Sequence, residues 1–64
     1  MKSEYRYTND MGYRKLLTVS FAAKDGDKYL CNLWCEDNGE FCGSGYLTEQ
    51  EIKEILSHYG VPIE

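Results

Sequence analysis

The stretch Leu16-Leu17-Thr18-Val19-Ser20-Phe21-Ala22-Ala23-Lys24-Asp25-Gly26-Asp27-Lys28-Tyr29-Leu30-Cys31-Asn32-Leu33-Trp34-Cys35 decides the fold. Apolar residues recur with a period of two on either side of Lys24-Asp25-Gly26, as they do when successive side chains point to opposite faces of a sheet. Leu17, Val19, Phe21 and Ala23 make one face of the first half, and Leu16, Thr18, Ser20 and Ala22 make the other. In the second half Tyr29, Cys31, Leu33 and Cys35 alternate with Lys28, Leu30, Asn32 and Trp34. The stretch reads as a β-hairpin. A two-residue Asp-Gly turn would pair Phe21 with Leu30 and Val19 with Asn32. A three-residue turn through Lys24-Asp25-Gly26, with Gly26 left-handed in a bulge, pairs Phe21 with Tyr29, Val19 with Cys31 and Leu17 with Leu33. The second register gathers nearly every apolar residue on one face, whereas a slip of one residue mixes the faces, so the second is expected.

Downstream, Asn38-Gly39 signals another tight turn, returning Glu40-Phe41-Cys42 beside the strand that ends near Cys35. A three-residue turn there puts Phe41 beside Cys35 on the core face; a two-residue turn pairs Cys35 with Cys42. Gly43-Ser44-Gly45 then reads as a flexible crossover. Leu47-Thr48-Glu49-Gln50-Glu51-Ile52 has the pattern of a helix start. Thr48 and Glu51 can cap each other's amides, and Leu47 and Ile52 can form a hydrophobic staple. Ile52, Ile55, Leu56 and Tyr59 share one helical face. Gly60 is suited to close the helix and Pro62 prevents its continuation. The expected helix spans about 49–59. Upstream, Tyr5 and Tyr7 alternate with Glu4, Arg6 and Thr8, which favours a first strand over about 3–8, with a loose arm as the competing reading.

The expected architecture is α+β: an antiparallel meander of three or four strands, at about 3–8, 14–23, 27–36 and 40–43, with one C-terminal helix on one face. Residues 1–64 make a single small domain. The expected core is Leu17, Val19, Phe21, Cys31, Leu33, Phe41, Ile52, Ile55, Leu56 and Tyr59. One helix covers only one side of such a sheet. The other side carries Trp34 and Leu16 as cross-strand partners, with Leu30 nearby. An apolar patch of that kind on a small chain marks association.

Length and composition restrict function. Sixty-four residues cannot hold a dinucleotide-binding fold or a barrel. No apolar run reaches the roughly 18 residues of a membrane span, and residues 1–6 lack the apolar core of a secretory leader. Three cysteines, an odd number, make a poor disulfide framework and suggest free thiols in the cytoplasm. Cys31 and Cys35 lie four residues apart on one strand, about 13 Å between Cα atoms, so they cannot share a metal ion without breaking it. No cofactor is expected: Gly43-Ser44-Gly45 lacks the ending of a phosphate loop, and no dinucleotide fingerprint occurs. His58 is the lone imidazole, read as a solvated side chain near the helix end.

The net charge is −4, but unevenly placed. Residues 1–24 carry five basic and two acidic side chains, and residues 25–64 carry two basic and nine acidic. The favoured reading is a non-enzymatic, acidic protein-interaction module, an inhibitor or regulator of a larger protein or a homodimer. It would use Trp34, Leu16, Leu30, Asp37 and Glu40. The alternative is a single-stranded nucleic-acid binder using Tyr5, Arg6, Tyr7, Tyr13, Arg14 and Lys15, which interleave aromatic and basic groups. The acidic remainder of the chain disfavours phosphate contact.

Overall fold

A computed structural model of the chain describes residues 1–62. Four strands, β1 (Glu4–Thr8), β2 (Arg14–Asp25), β3 (Lys28–Cys35) and β4 (Phe41–Thr48), precede a helix, α1 (Glu49–His58). The sheet is an antiparallel meander in the order β1-β2-β3-β4, with α1 packed against one side. Its shortest dimension, 16 Å, accommodates one sheet and one helical layer.

The hairpin register is the expected one through its centre, where Leu17 faces Leu33 and Val19 faces Cys31. The turn is not. Asp25 pairs with Lys28, leaving Gly26-Asp27 as a two-residue loop. Gly26 supplies φ of +64°, the positive angle that matches such a turn to the twist of its strands. The surplus residues are displaced into β2: Ser20 pairs with Leu30 and Lys24 with Tyr29, so Phe21-Ala22-Ala23 bulge out of the ladder. Phe21 therefore loses its expected place in the core. It is 43% exposed at the hairpin tip, with its ring edge-on to Tyr29 at 5.3 Å.

The second hairpin also departs from expectation. Cys35 N–H donates to the Glu40 carbonyl at 2.8 Å, and Gly39 N–H donates to the Cys35 carbonyl at 2.8 Å. Glu36-Asp37-Asn38-Gly39 is thus a four-residue loop, and neither shorter turn forms. The Asn38 side chain accepts from Glu40 N–H at 2.9 Å, which holds the loop. Phe41 consequently pairs with Trp34, on the side away from α1, and is 51% exposed. Gly43-Ser44-Gly45 is not a crossover: it continues β4 opposite Leu33, Asn32 and Cys31. Strand pairing with β3 holds a glycine-rich segment that local propensity alone leaves free.

The N-terminal segment forms a strand. Tyr5 pairs with Leu17 and is only 4% exposed, a core position absent from the sequence-based list. Its hydroxyl accepts from Lys2 N–H at 2.7 Å, so the phenol is buried with its polar tip satisfied. The buried core is Tyr5, Leu17, Val19, Cys31, Ile52 and Leu56, with Leu33, Leu47, Tyr7 and Val61 packed around it.

Both ends of α1 follow from its sequence. Thr48 Oγ1 accepts from Glu51 N–H at 3.1 Å, and Thr48 N–H donates to Glu51 Oε1 at 2.9 Å, completing a capping box. At the other end Val61 N–H reaches the Leu56 carbonyl at 2.8 Å and Gly60 N–H the Ser57 carbonyl at 3.1 Å. These two bonds, with Gly60 at φ +72°, make a Schellman closure. The Thr48 amide holds the Glu51 carboxyl below the usual carboxylate range, and the Lys53 ammonium does the same for Glu49. Depressed folded-state values mean that this stabilisation is present at neutral pH. It is lost as pH falls from the unfolded Glu value of about 4.3 through the lower folded value. Helical ellipticity of the wild type is expected to decline over that acid range. Glu51→Gln, which retains a capping side chain without a titratable group, should give a flatter profile. Thr48→Ala should lower stability by about 1 kcal/mol in urea titration.

Candidate functional site

Alternation assigns three cross-strand rows to the side of the sheet away from α1. Arg6, Leu16, Trp34 and Phe41 form one row across all four strands. Glu4, Thr18, Asn32 and Ser44 form the second, and Ser20, Leu30 and Tyr46 the third. Leu16, Leu30 and Trp34 are half-buried by their neighbours, whereas Phe41 and Tyr46 are half-exposed.

Trp34 is fixed by two different contacts. Its indole N–H donates to Thr18 Oγ1 at 3.2 Å. Its ring meets Phe41 edge-to-face, with centroids 5.2 Å apart and planes inclined at 66°. The hydrogen bond satisfies the polar tip within the sheet face, and the ring is half-buried there. A positioned indole loses little rotamer freedom on binding, the property that suits Trp to an interface anchor.

Charged pairs border this face. Arg6 is paired with Glu36 and, at 3.6 Å, with Glu4. Arg14 is paired with Asp37, whose carboxylate raises the guanidinium above its usual range. Glu40 is exposed in the adjoining loop. Of the expected interaction residues, Trp34, Leu16 and Leu30 share the face, and Asp37 and Glu40 lie in and beside the Glu36–Gly39 loop at its edge. The sequence reading missed Phe41 and Tyr46. Once β4 is carried to Thr48, the alternation Ser44/Tyr46 against Gly45/Leu47 places Tyr46 on the open side.

The six residues of the nucleic-acid alternative are divided between faces. Arg6 and Arg14 are on the open side, each already paired with acids. Tyr5 and Tyr7 are on the α1 side, Tyr5 buried and Tyr7 stacked on Tyr59 with centroids 4.4 Å apart. Burial beside Tyr59 and Cys42 pushes the Tyr7 phenol up. Tyr13 is 55% exposed, with the Lys15 ammonium 5.9 Å from its ring centre.

The partners of the thiols and the imidazole are these. Cys42 Sγ lies 3.5 Å from Lys15 Nζ, while His58 sits edge-on to Tyr59 and 3.8 Å from Asp10. Cys31 is buried, which pushes its thiol up. Among the described residues no group of three His, Cys, Asp or Glu side chains is placed to hold a metal ion, and no helix is long and apolar enough to cross a membrane.

A second feature lies on the α1 side. Gly43 and Gly45 contribute no side chains there, leaving a cleft of about 320 Å³ bordered by Tyr7, Leu17, Leu33, Leu47 and Ile55. A hollow of about 1030 Å³ beside α1 is walled largely by polar residues, including Gln50, Lys53, Glu54 and Ser57.

The chain matches no protein-family model, no curated protein and no solved structure.

Proposed function

We propose that this chain is a non-enzymatic protein-interaction module that binds a larger protein through the open face of its sheet, as an inhibitor or regulator. The observation that carries this reading is the Trp34–Phe41 pair, set among Leu16, Leu30 and Tyr46 on the side that α1 leaves uncovered. The apolar Leu16–Trp34–Phe41 row and the Leu30–Tyr46 row flank a polar row of Thr18, Asn32 and Ser44, with ion pairs beside the Trp34 end, a mixture of aromatic anchors and polar groups that suits a protein interface. The exposed Glu40, with Asp37 engaged by Arg14 beside it, extends the face toward a basic surface on the partner and would hasten encounter rather than supply most of the affinity.

Capture from a cell extract with wild-type and Trp34→Ala baits, compared by quantitative mass spectrometry, tests the reading. A defined protein retained by the wild type and lost by the variant is the expected result. Identical retention by both removes the open face from the proposal.

A further inference from the structure

β4 is one margin of the sheet, and among the described residues its outer backbone groups have no neighbouring strand. The two margins differ in how they deal with this. β1 has five residues and carries Glu4 and Arg6, the short, charged design that discourages a further strand. β4 has eight residues, Phe41-Cys42-Gly43-Ser44-Gly45-Tyr46-Leu47-Thr48, with neither a charge nor a proline. Its one irregularity, at Cys42 between the Leu33–Gly43 and Trp34–Phe41 pairs, is near the far end and leaves Gly43–Thr48 regular.

We infer that β4 pairs with β4 of a second copy of this chain, antiparallel about a two-fold axis at Gly45, making a continuous eight-stranded sheet. Two features of the strand select a second copy as occupant. First, with no charge from Phe41 to Thr48, the strand meets its own copy without like-charge repulsion along the contact. Second, its α1 side is self-complementary. With Gly45 opposite its symmetry mate, Leu47 of each copy lies opposite Gly43 of the other. The cleft over Gly43, bordered by Leu17, Leu33, Tyr7, Ile55 and the chain's own half-buried Leu47, is then closed at its open margin by the exposed part of the partner's Leu47. The two-fold operation repeats this contact, so both clefts are closed together. Because the axis is perpendicular to the sheet, both Trp34–Phe41 faces lie on the same side of the assembly. The dimer does not depend on the proposed binding role of that face.

Sedimentation equilibrium from about 1 µM to about 1 mM, a range that brackets a weak dimer, provides the first measurement. The expected mass rises from the 7.4 kDa of one chain to twice that value. Each chain carries a net charge of −4, so association should strengthen with added salt as the repulsion is screened. Gly45→Lys is the matched variant. A Cβ at Gly45 meets nothing within 4 Å and the residue has no left-handed φ, so the monomer's backbone admits a side chain there, while the dimer would bring two like charges together near the axis. The variant should stay monomeric throughout the range with wild-type circular dichroism. Isotope-filtered NOE spectra of mixed labelled and unlabelled wild type should show Gly45–Gly45 and Leu47–Gly43 contacts between chains, a readout independent of whether the variant folds. A wild type that remains monomeric to the upper concentration overturns the inference. So does a dimer whose interchain contacts run through Trp34 and Phe41 instead.

Discussion

Leu56→Ala is expected to destabilise the chain by about 3 kcal/mol, within the roughly 2–5 kcal/mol typical of emptying a fully packed leucine site. Leu56 and Ile52 have no exposed surface, and together they join α1 to Tyr5, Leu17, Val19 and Cys31. A core this small has little redundancy. The whole domain should be stable by only about 3–10 kcal/mol at typical values per residue, so a single methyl-lined cavity removes a large share. The thermal midpoint should fall by at least about 12 °C, given the small unfolding entropy of a domain of this size. Urea and thermal unfolding followed by circular dichroism measure both. Phe21→Ala provides the contrast. At 43% exposed and outside the ladder, it should cost only about 1 kcal/mol despite deleting a larger side chain. Equal losses from the two variants would mean that Phe21 is covered, contrary to the bulge that carries it out of the core.

Trp34→Ala is expected to weaken the captured partner by at least about 30-fold, the equivalent of a hot-spot loss of about 2 kcal/mol. The variant should remain folded. It loses one hydrogen bond to Thr18 and one edge-to-face contact with Phe41, on the side of the sheet away from the core. Each contact is worth on the order of 1 kcal/mol. The affinity change therefore exceeds what unfolding of the variant can explain, provided its circular dichroism is unaltered. Titration calorimetry with the purified partner gives the value. Phe41→Ala should weaken the same partner, and Phe21→Ala, at the remote hairpin tip, should leave it unchanged. A partner indifferent to both Trp34 and Phe41 would place the interface elsewhere.

The readability of the chain differs between its elements for physical reasons. α1 was fully legible because its determinants are local: Thr48 and Glu51 lie one turn apart, Gly60 follows the last turn, and the apolar stripe repeats at the helical period. The centre of the β2–β3 hairpin was legible because burial on one face ties register to alternation. Leu16 opposite Trp34 followed from that register and appears in the structure. The turns were less legible. Gly26 permits several loop lengths, and the two-residue choice was compensated by a three-residue bulge that alternation does not reveal. Asn38-Gly39 likewise suggested a shorter loop than the four residues that form. This difference reversed the side occupied by Phe41 and moved it from the expected core to the candidate binding face.

Local sequence was sufficient to determine the central hairpin, the caps of α1 and the face assignments of Leu17, Val19, Cys31 and Leu33, because each rests on neighbours a few residues away; it left β1 open against a loose arm. Tertiary structure decided the burial of Tyr5 against Leu17, the extension of β4 through Gly43-Ser44-Gly45 and the meeting of Trp34 with Phe41. Each of these depends on pairing between segments whose own propensities are weak or ambiguous. Backbone hydrogen bonds to an adjacent strand can impose extended structure on glycines, and the length of one loop set the face of Phe41 before the irregularity at Cys42 returned Gly43–Thr48 to the register of a three-residue turn.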